Sequence, residues 1–227
     1  METNHASVLI LFLGHIGAMN VQLKYFVLHQ ERPTMVVAID IDDTLFCNHM
    51  VPNIIKEYGL NIQHHSWDMH ELGDNVLNVL YRRFLMPSFM CRLSPFDGSV
   101  ERVKEWHDAG HKIICITARH PHIRTTTTRM VQKHFPFITD VHFAKEFRGT
   151  MHEPEMDNGK NAALSQTNSS VIIDDASHNI EASLIFPNMK RFLISNEGTS
   201  YNWDFVKKVA SEGLPVTVVK SITEVVI

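Results

Sequence analysis

The sequence predicts an α/β protein, a parallel sheet flanked by helices with a small helical insertion after the first strand. Three observations predict it. Short apolar runs alternate with stretches of helical spacing, the pattern of a sheet whose strands pair in parallel. The runs are apolar throughout rather than at every second residue, as expected of strands covered on both faces. Two of them end in carboxylates, Asp40 and Asp42 after one and Asp174 and Asp175 after the other. Sites in such sheets lie beyond the carboxyl ends of the strands.

Composition narrows the class. A chain of 227 residues suits one domain with an insertion, and 44% hydrophobic residues supply its core. The net charge of −4, without a basic stripe, excludes a nucleic-acid polymer as the expected partner. Cys47, Cys91 and Cys115 show no CxxC spacing. They fit a reduced, cytoplasmic interior and argue against a disulfide framework or a zinc site. His64, His65, His120 and His122 lack a surrounding Cys/His ligand set and read as scattered surface histidines.

Taken in order, residues 1–34 stand apart. The apolar run at 8–14 is too short to span a bilayer, and Glu2 replaces the basic region of a signal peptide, so no membrane association is expected. This stretch reads either as an upstream extension, with Met35 an alternative start, or as an added strand or docked helix. Residues 35–45 begin the core domain with a strand. Residues 46–95 form a helical cap, with helices over 51–58, ended by Gly59, and over 71–85, whose end Pro87 and Pro95 bracket. The core resumes over 96–227. A helix ends at Gly110, a strand covers 112–117, and a helix covers 121–135, where Pro121 suits a first turn. A short strand at 141–144 is followed by polar residues 146–158 and a helix over 160–166. A strand at 170–174, a helix at 179–185, a strand at 191–194, a helix at 203–211 and an edge element at 215–219 complete it.

The carboxylates define the chemistry. Asp40, Asp42 and Thr44 form Asp-x-Asp-x-Thr where a buried strand ends. Carboxylates this close repel and require a proton or a counter-ion, and oxygen ligands suit Mg²⁺. One carboxylate can attack phosphorus, and a second can protonate the leaving oxygen and then activate water. Strand alternation alone does not bring residues 40 and 42 together, so the chain must leave strand geometry between them. The Thr117 hydroxyl and the N–H groups after it, beginning at Ala118, suit a phosphate oxygen. Arg119 either adds charge to that pocket or pairs with a surface acid. Asp174 and Asp175 complete a metal site with Asp40. Lys160 or Lys145 neutralises the nucleophile. Phe46, Trp67, Phe84 and Phe89 either stack on a substrate ring or form the core of the cap, and Phe46, nearest Thr44, is chosen with Arg119 for substrate specificity.

Together, Asp40-Ile-Asp42-Asp43-Thr44-Leu45, Ile116-Thr117-Ala118-Arg119, Lys160 and Ile173-Asp174-Asp175 with Asn179 resemble the four motifs of the haloacid dehalogenase-like hydrolases, over about residues 35–195. The chain looks most like the 5′(3′)-deoxyribonucleotidase-type phosphatases with a small helical cap. The resemblance implies a Rossmann-like core and a Mg²⁺-dependent phosphatase of small phosphate monoesters, nucleoside 5′-monophosphates among them. It implies Asp40 as nucleophile and Asp42 as acid/base whose backbone carbonyl also binds the metal. Thr117, Ala118 and Lys160 hold the phosphoryl group, and Asp174 and Asp175 complete the metal shell. It favours Lys160 over Lys145 because Lys160 opens the helix before the carboxylate strand. Asp42 favours phosphate chemistry, since the dehalogenase branch lacks an acid there. The rivals are a sugar-phosphate phosphatase, a phosphomutase and a non-catalytic phosphate-binding module. A phosphoacceptor receiver domain fits less well, given the cap and Asp42.

Overall fold

A computed structural model describes residues 34–47, 50–61, 72–90, 92–138, 140–144 and 159–227. The apolar run at 8–14, His64, His65, Trp67, Cys91 and Lys145 lie outside the described residues, as do the side chains of Phe84 and Phe89. Six strands form one sheet: β1 (Val36–Ile39), β2 (Lys112–Thr117), β3 (Asp140–Phe143), β4 (Val171–Asp174), β5 (Lys190–Ile194) and β6 (Thr217–Val219). Their order is β3-β2-β1-β4-β5-β6, and every pairing is parallel. The chain builds outward from β1 to β3, then crosses back and builds the other half from β4. The switch in direction therefore falls at β1, where Ile39 pairs with both Cys115 and Ile173. A crevice opens at such a point beyond the carboxyl ends of the strands.

The continuous apolar strands are explained by two cores, one on each face. Val37, Ile39, Ile113, Cys115, Val171 and Ile173 point one way. They pack with Val103 and Trp106 of α4 (Ser99–Asp108) and Met130 and Val131 of α5 (Arg124–His134). Ala38, Ile114, Ile116, Ile172 and Leu193 point the other way. There they meet Ala163 and Leu164 of α6 (Gly159–Gln166), Ile180 of α7 (Ser177–Ala182) and Phe205 of α8 (Trp203–Glu212). Successive side chains of a strand alternate in direction, so both sets must be apolar.

Between β1 and β2 lie α1 (Met50–Glu57), α2 (Asp74–Phe84) and α3 (Pro87–Met90). Leu72, Val76, Leu80 and Met90 make a separate small core that closes on Ile123, a residue of the loop after β2. These helices are thereby tied to the carboxyl end of the sheet. Gly98, just before α4, has φ of +75°, and a Cβ there would meet the Thr223 methyl at 3.0 Å. Glycine at this position permits both the turn and the close approach of the C-terminal segment.

Two helices differ from the sequence expectation. The stretch 121–135 opens as a tight 3₁₀ turn, Pro121–Ile123, before α5 begins. Here the His120 Nδ1 accepts the N–H of His122 at 3.1 Å and takes over the cap. The helix expected at 179–185 starts earlier, at Ser177, and tightens to a 3₁₀ turn at Ser183–Ile185. Among the described residues no helix is long and apolar enough to cross a membrane.

Candidate active site

The site is built where β1, β2 and β4 end. Asp40 directly follows β1, and its N–H still donates to the Ile173 carbonyl at 2.9 Å. The chain then leaves strand geometry. Asp43 takes φ of +53°, its N–H donates to the Phe46 carbonyl at 2.9 Å, and the N–H groups of Leu45 and Phe46 turn back to Ile41. A left-handed residue here is ordinarily Gly, Asn or Asp, so Asp43 is a turn acid. This loop supplies the departure from alternation that Asp40 and Asp42 require, and the charge of Asp42 acts on Asp40.

Lys160, at the start of α6, is buried and divides its ammonium between two carboxylates. Its Nζ donates to Asp40 Oδ1 at 2.8 Å and to Asp174 Oδ2 at 2.6 Å. Asp174 Oδ1 accepts the Ala176 N–H at 2.9 Å and Asn179 Nδ2 at 3.1 Å. Asp175 Oδ1 accepts the Thr44 hydroxyl at 3.2 Å, and Oδ2 accepts the Tyr201 hydroxyl. One oxygen of each of Asp40, Asp174 and Asp175 lies within 4.8 Å of the others.

Burial pushes the Asp40 carboxyl well above the usual carboxylate range. Lys160 opposes the shift, and Asp174, Asp175 and Asp42 add to it. Burial, then Asp174 and Asp43, push Asp175 up to about 8 against the pull of Tyr201 and Lys160. For Lys160 burial works to lower the value, but the Asp174 and Asp40 carboxylates overcome it and hold the ammonium charged. Three carboxylates thus crowd around one ammonium, an excess of negative charge in hard oxygen donors. Such a set fits a hard divalent cation such as Mg²⁺.

This crowding gives a pH dependence with a definite sign. Asp175 titrates at about 8 in the metal-free folded chain and near about 3.9 when unfolded. Between these values the folded chain holds the extra proton. Its contribution to stability is complete below the unfolded value and is lost as pH rises through the folded one. The thermal midpoint of the metal-free chain should therefore fall from about pH 5 to about pH 8, and added Mg²⁺ should flatten the slope. A metal-free midpoint that rises over this range would contradict the assignment.

Thr117 ends β2 fully buried, and its Oγ1 accepts the Arg119 N–H at 3.1 Å, which leaves the hydroxyl hydrogen available to a ligand. Ala118 is half-buried between them. Two residues chosen for substrate specificity are corrected. Phe46 is fully buried in the core, edge-on to Phe135 at 5.5 Å and to His134 at 5.7 Å. It anchors the loop that carries Asp42 rather than stacking on a substrate. Phe46→Ala should cost roughly 3–5 kcal/mol of stability, read by chemical denaturation. Arg119 is also buried, and its guanidinium donates to both oxygens of Asp42, at 2.7 and 2.8 Å. Its partner is the candidate acid/base.

Tyr201 and Asn202 were not legible as site residues. Asn202 is fully buried, accepts the Ser177 N–H at 3.0 Å and donates to the Asp175 and Ile194 carbonyls. It ties the segment after β5 to the loop that carries Asp175. In sequence it is an ordinary polar residue before a helix, and only the sheet order brings it beside Asp175.

No family model and no curated protein matches the chain. Solved structures do. A conserved haloacid dehalogenase-like protein of unknown function from Agrobacterium tumefaciens aligns with a TM-score of 0.58 and 12% identity, over 84% of this chain and 95% of that one. A HAD family hydrolase from Deinococcus radiodurans, with bound phosphate and sodium, aligns with a TM-score of 0.57 and 17% identity, over 85% and 93%. The L-2-haloacid dehalogenase from Xanthobacter autotrophicus, with chloropropionic acid covalently bound, aligns with a TM-score of 0.51 and 10% identity, over 84% and 96%. The fold is that of the haloacid dehalogenase-like proteins, as the motif resemblance implied.

Proposed function

We propose that this chain is a Mg²⁺-dependent phosphatase of small phosphate monoesters that works through an aspartyl-phosphate on Asp40. The observation that carries the reading is the pair of carboxylates with separate counter-ions, Asp40 on Lys160 and Asp42 on Arg119. Lys160 holds one oxygen of Asp40, and among the described residues the other has no protein donor and is left for phosphorus. That oxygen forms a bond to phosphorus as the ester P–O bond breaks, and the departing oxygen takes a proton from Asp42. Asp42 then accepts a proton from the water that attacks the aspartyl-phosphate, and Asp40 and phosphate are released. Thr117, the Ala118 N–H and Lys160 hold the phosphoryl oxygens through both steps. Asp40, Asp174, Asp175 and the Asp42 carbonyl would hold Mg²⁺, which supplies neutralisation of the charge on the transferring group.

Dehalogenation is the rival on the same fold. There the aspartate attacks carbon, and a halide departs without a proton. Asp42 and the surplus of carboxylates would have no task in that reaction. For the substrate, nucleoside 5′-monophosphates remain one class within the proposal. The burial of Phe46 removes the aromatic chosen to stack on a base, so the small phosphate monoester is the class the site supports.

The test is phosphate release from p-nitrophenyl phosphate and from a panel of nucleotides and sugar phosphates, with Mg²⁺ and with chelator. Release that requires Mg²⁺ is expected. Halide release from 2-chloropropionate, without release of phosphate from any ester, would overturn the reading. Return of the phosphoryl group to a sugar phosphate in place of free phosphate would replace hydrolysis by a mutase reaction.

A further inference from the structure

Asp42 is held more firmly than a solvated general acid needs to be. Arg119 comes from the loop after β2, seventy-seven residues along the chain, and is buried. Its Nε and Nη2 donate to the two oxygens of Asp42 at 2.7 and 2.8 Å. The guanidinium is itself fixed from behind by α5, where Nη1 lies 3.3 Å from Thr127 Oγ1 and 3.8 Å from Met130 Sδ. Its backbone N–H is bound to Thr117 Oγ1. The Asp42 side chain remains 23% exposed, while that of Arg119 is 3% exposed.

We propose that Arg119 is a positioning residue that sets the plane and reach of the Asp42 carboxyl group toward the leaving-group oxygen. The inference rests on the phosphatase reading above and deepens it. A carboxylate offers about four lone-pair sites. A two-bond guanidinium fork uses two of them and fixes the group in one plane, so the remaining lone pairs point in set directions. Lysine cannot do this, because an ammonium is a point charge without a planar fork. The Arg119–Thr117 bond adds a second consequence. The loop that binds the phosphoryl group and the carboxylate that serves the ester oxygen are fixed in register with each other. Attack by Asp40, cleavage of the ester P–O bond and transfer of the Asp42 proton to the ester oxygen then take place in one prepared arrangement.

The test compares Arg119→Lys and Arg119→Gln with the wild-type chain on two esters, in Mg²⁺. p-Nitrophenolate departs without a proton, and the alkoxide of glycerol 2-phosphate does not. Because kcat/KM reports the steps up to departure of the leaving group, it should fall on the order of 10²-fold for glycerol 2-phosphate and less than about threefold for p-nitrophenyl phosphate. On p-nitrophenyl phosphate the second step should slow, so that the variants give a burst of p-nitrophenol equal to the enzyme present. The inhibition constant of inorganic phosphate should stay within about twofold of wild type. Arg119→Lys keeps the charge beside Asp42, and its thermal midpoint shows whether the chain is folded. An equal fall on both esters with weaker phosphate inhibition would make Arg119 a phosphate ligand and overturn the proposal. A lower midpoint with an unchanged ratio of the two esters would make it merely structural and also overturn it. In either case, a changed ratio in Asp42→Asn would leave the phosphatase reading standing. A wild-type chain that releases no phosphate from either ester would remove that reading and this inference together.

Discussion

Asp40→Asn should lower Mg²⁺-dependent phosphate release by roughly 10⁴-fold or more, the scale seen when a covalent nucleophile is removed. The amide has no anionic oxygen to offer phosphorus, while its size matches the carboxylate it replaces. The fold should survive. Lys160 keeps its bond to Asp174 at 2.6 Å, and the Asn179 and Ala176 bonds to Asp174 are untouched. Burial also disfavours the ionised form of Asp40, so the substitution removes a cost as well as a bond. Phosphate release and the thermal midpoint, measured on the same preparation, separate lost chemistry from lost structure. A well-folded Asp40→Asn chain that retains the wild-type rate would falsify the covalent mechanism.

The sequence makes the sheet legible because its strands are short, apolar and punctuated by carboxylates. β1, β2, β4 and β5 lie where the apolar runs place them. The ends of these strands also single out Asp40 and Asp42, since like charges clustered after a buried run need a counter-ion or a proton. Thr117, Asp174 and Asp175, each an ordinary turn residue alone, gain their reading from ending strands of the same sheet. Lys160 needed the motif resemblance, because any single lysine is by default a solvated surface charge. Three features were beyond reach for a common physical reason: they depend on contacts between residues far apart in the sequence. Phe46 looks like a pocket residue by its distance from Thr44 in sequence. The tight turn at Asp43 instead sends it down into the core against Phe135. Arg119 meets Asp42 only because β1 and β2 are neighbours. Tyr201 and Asn202 reach Asp175 only because β5 lies beside β4.

Lys160→Met tests the electrostatic argument at its centre. Methionine keeps the length of the stem and removes the ammonium, which leaves Asp40 and Asp174 buried without their shared cation. Breaking a buried pair by deleting one partner costs roughly 3–5 kcal/mol, and two carboxylates lose their partner here. Measured by denaturation of the metal-free chain, the loss should grow as pH rises, since ionisation of the crowded carboxylates then has less to oppose it. Divalent cation should restore part of the stability, because a metal at the three carboxylates supplies the charge that Lys160 no longer does. Phosphate release should not return with it. The cation can balance the Asp174 and Asp175 charges, but it cannot replace an ammonium that orients the Asp40 oxygen at 2.8 Å and that, in the proposed reaction, would also hold the transferring group. Recovery of stability with Mg²⁺ but not of turnover would thus separate two tasks that Lys160 combines, holding the folded site together and preparing Asp40 for attack. A Lys160→Met chain as stable as wild type without metal would mean that the shared ammonium does not hold Asp40 and Asp174 in the folded site, and the electrostatic argument would fail at its centre.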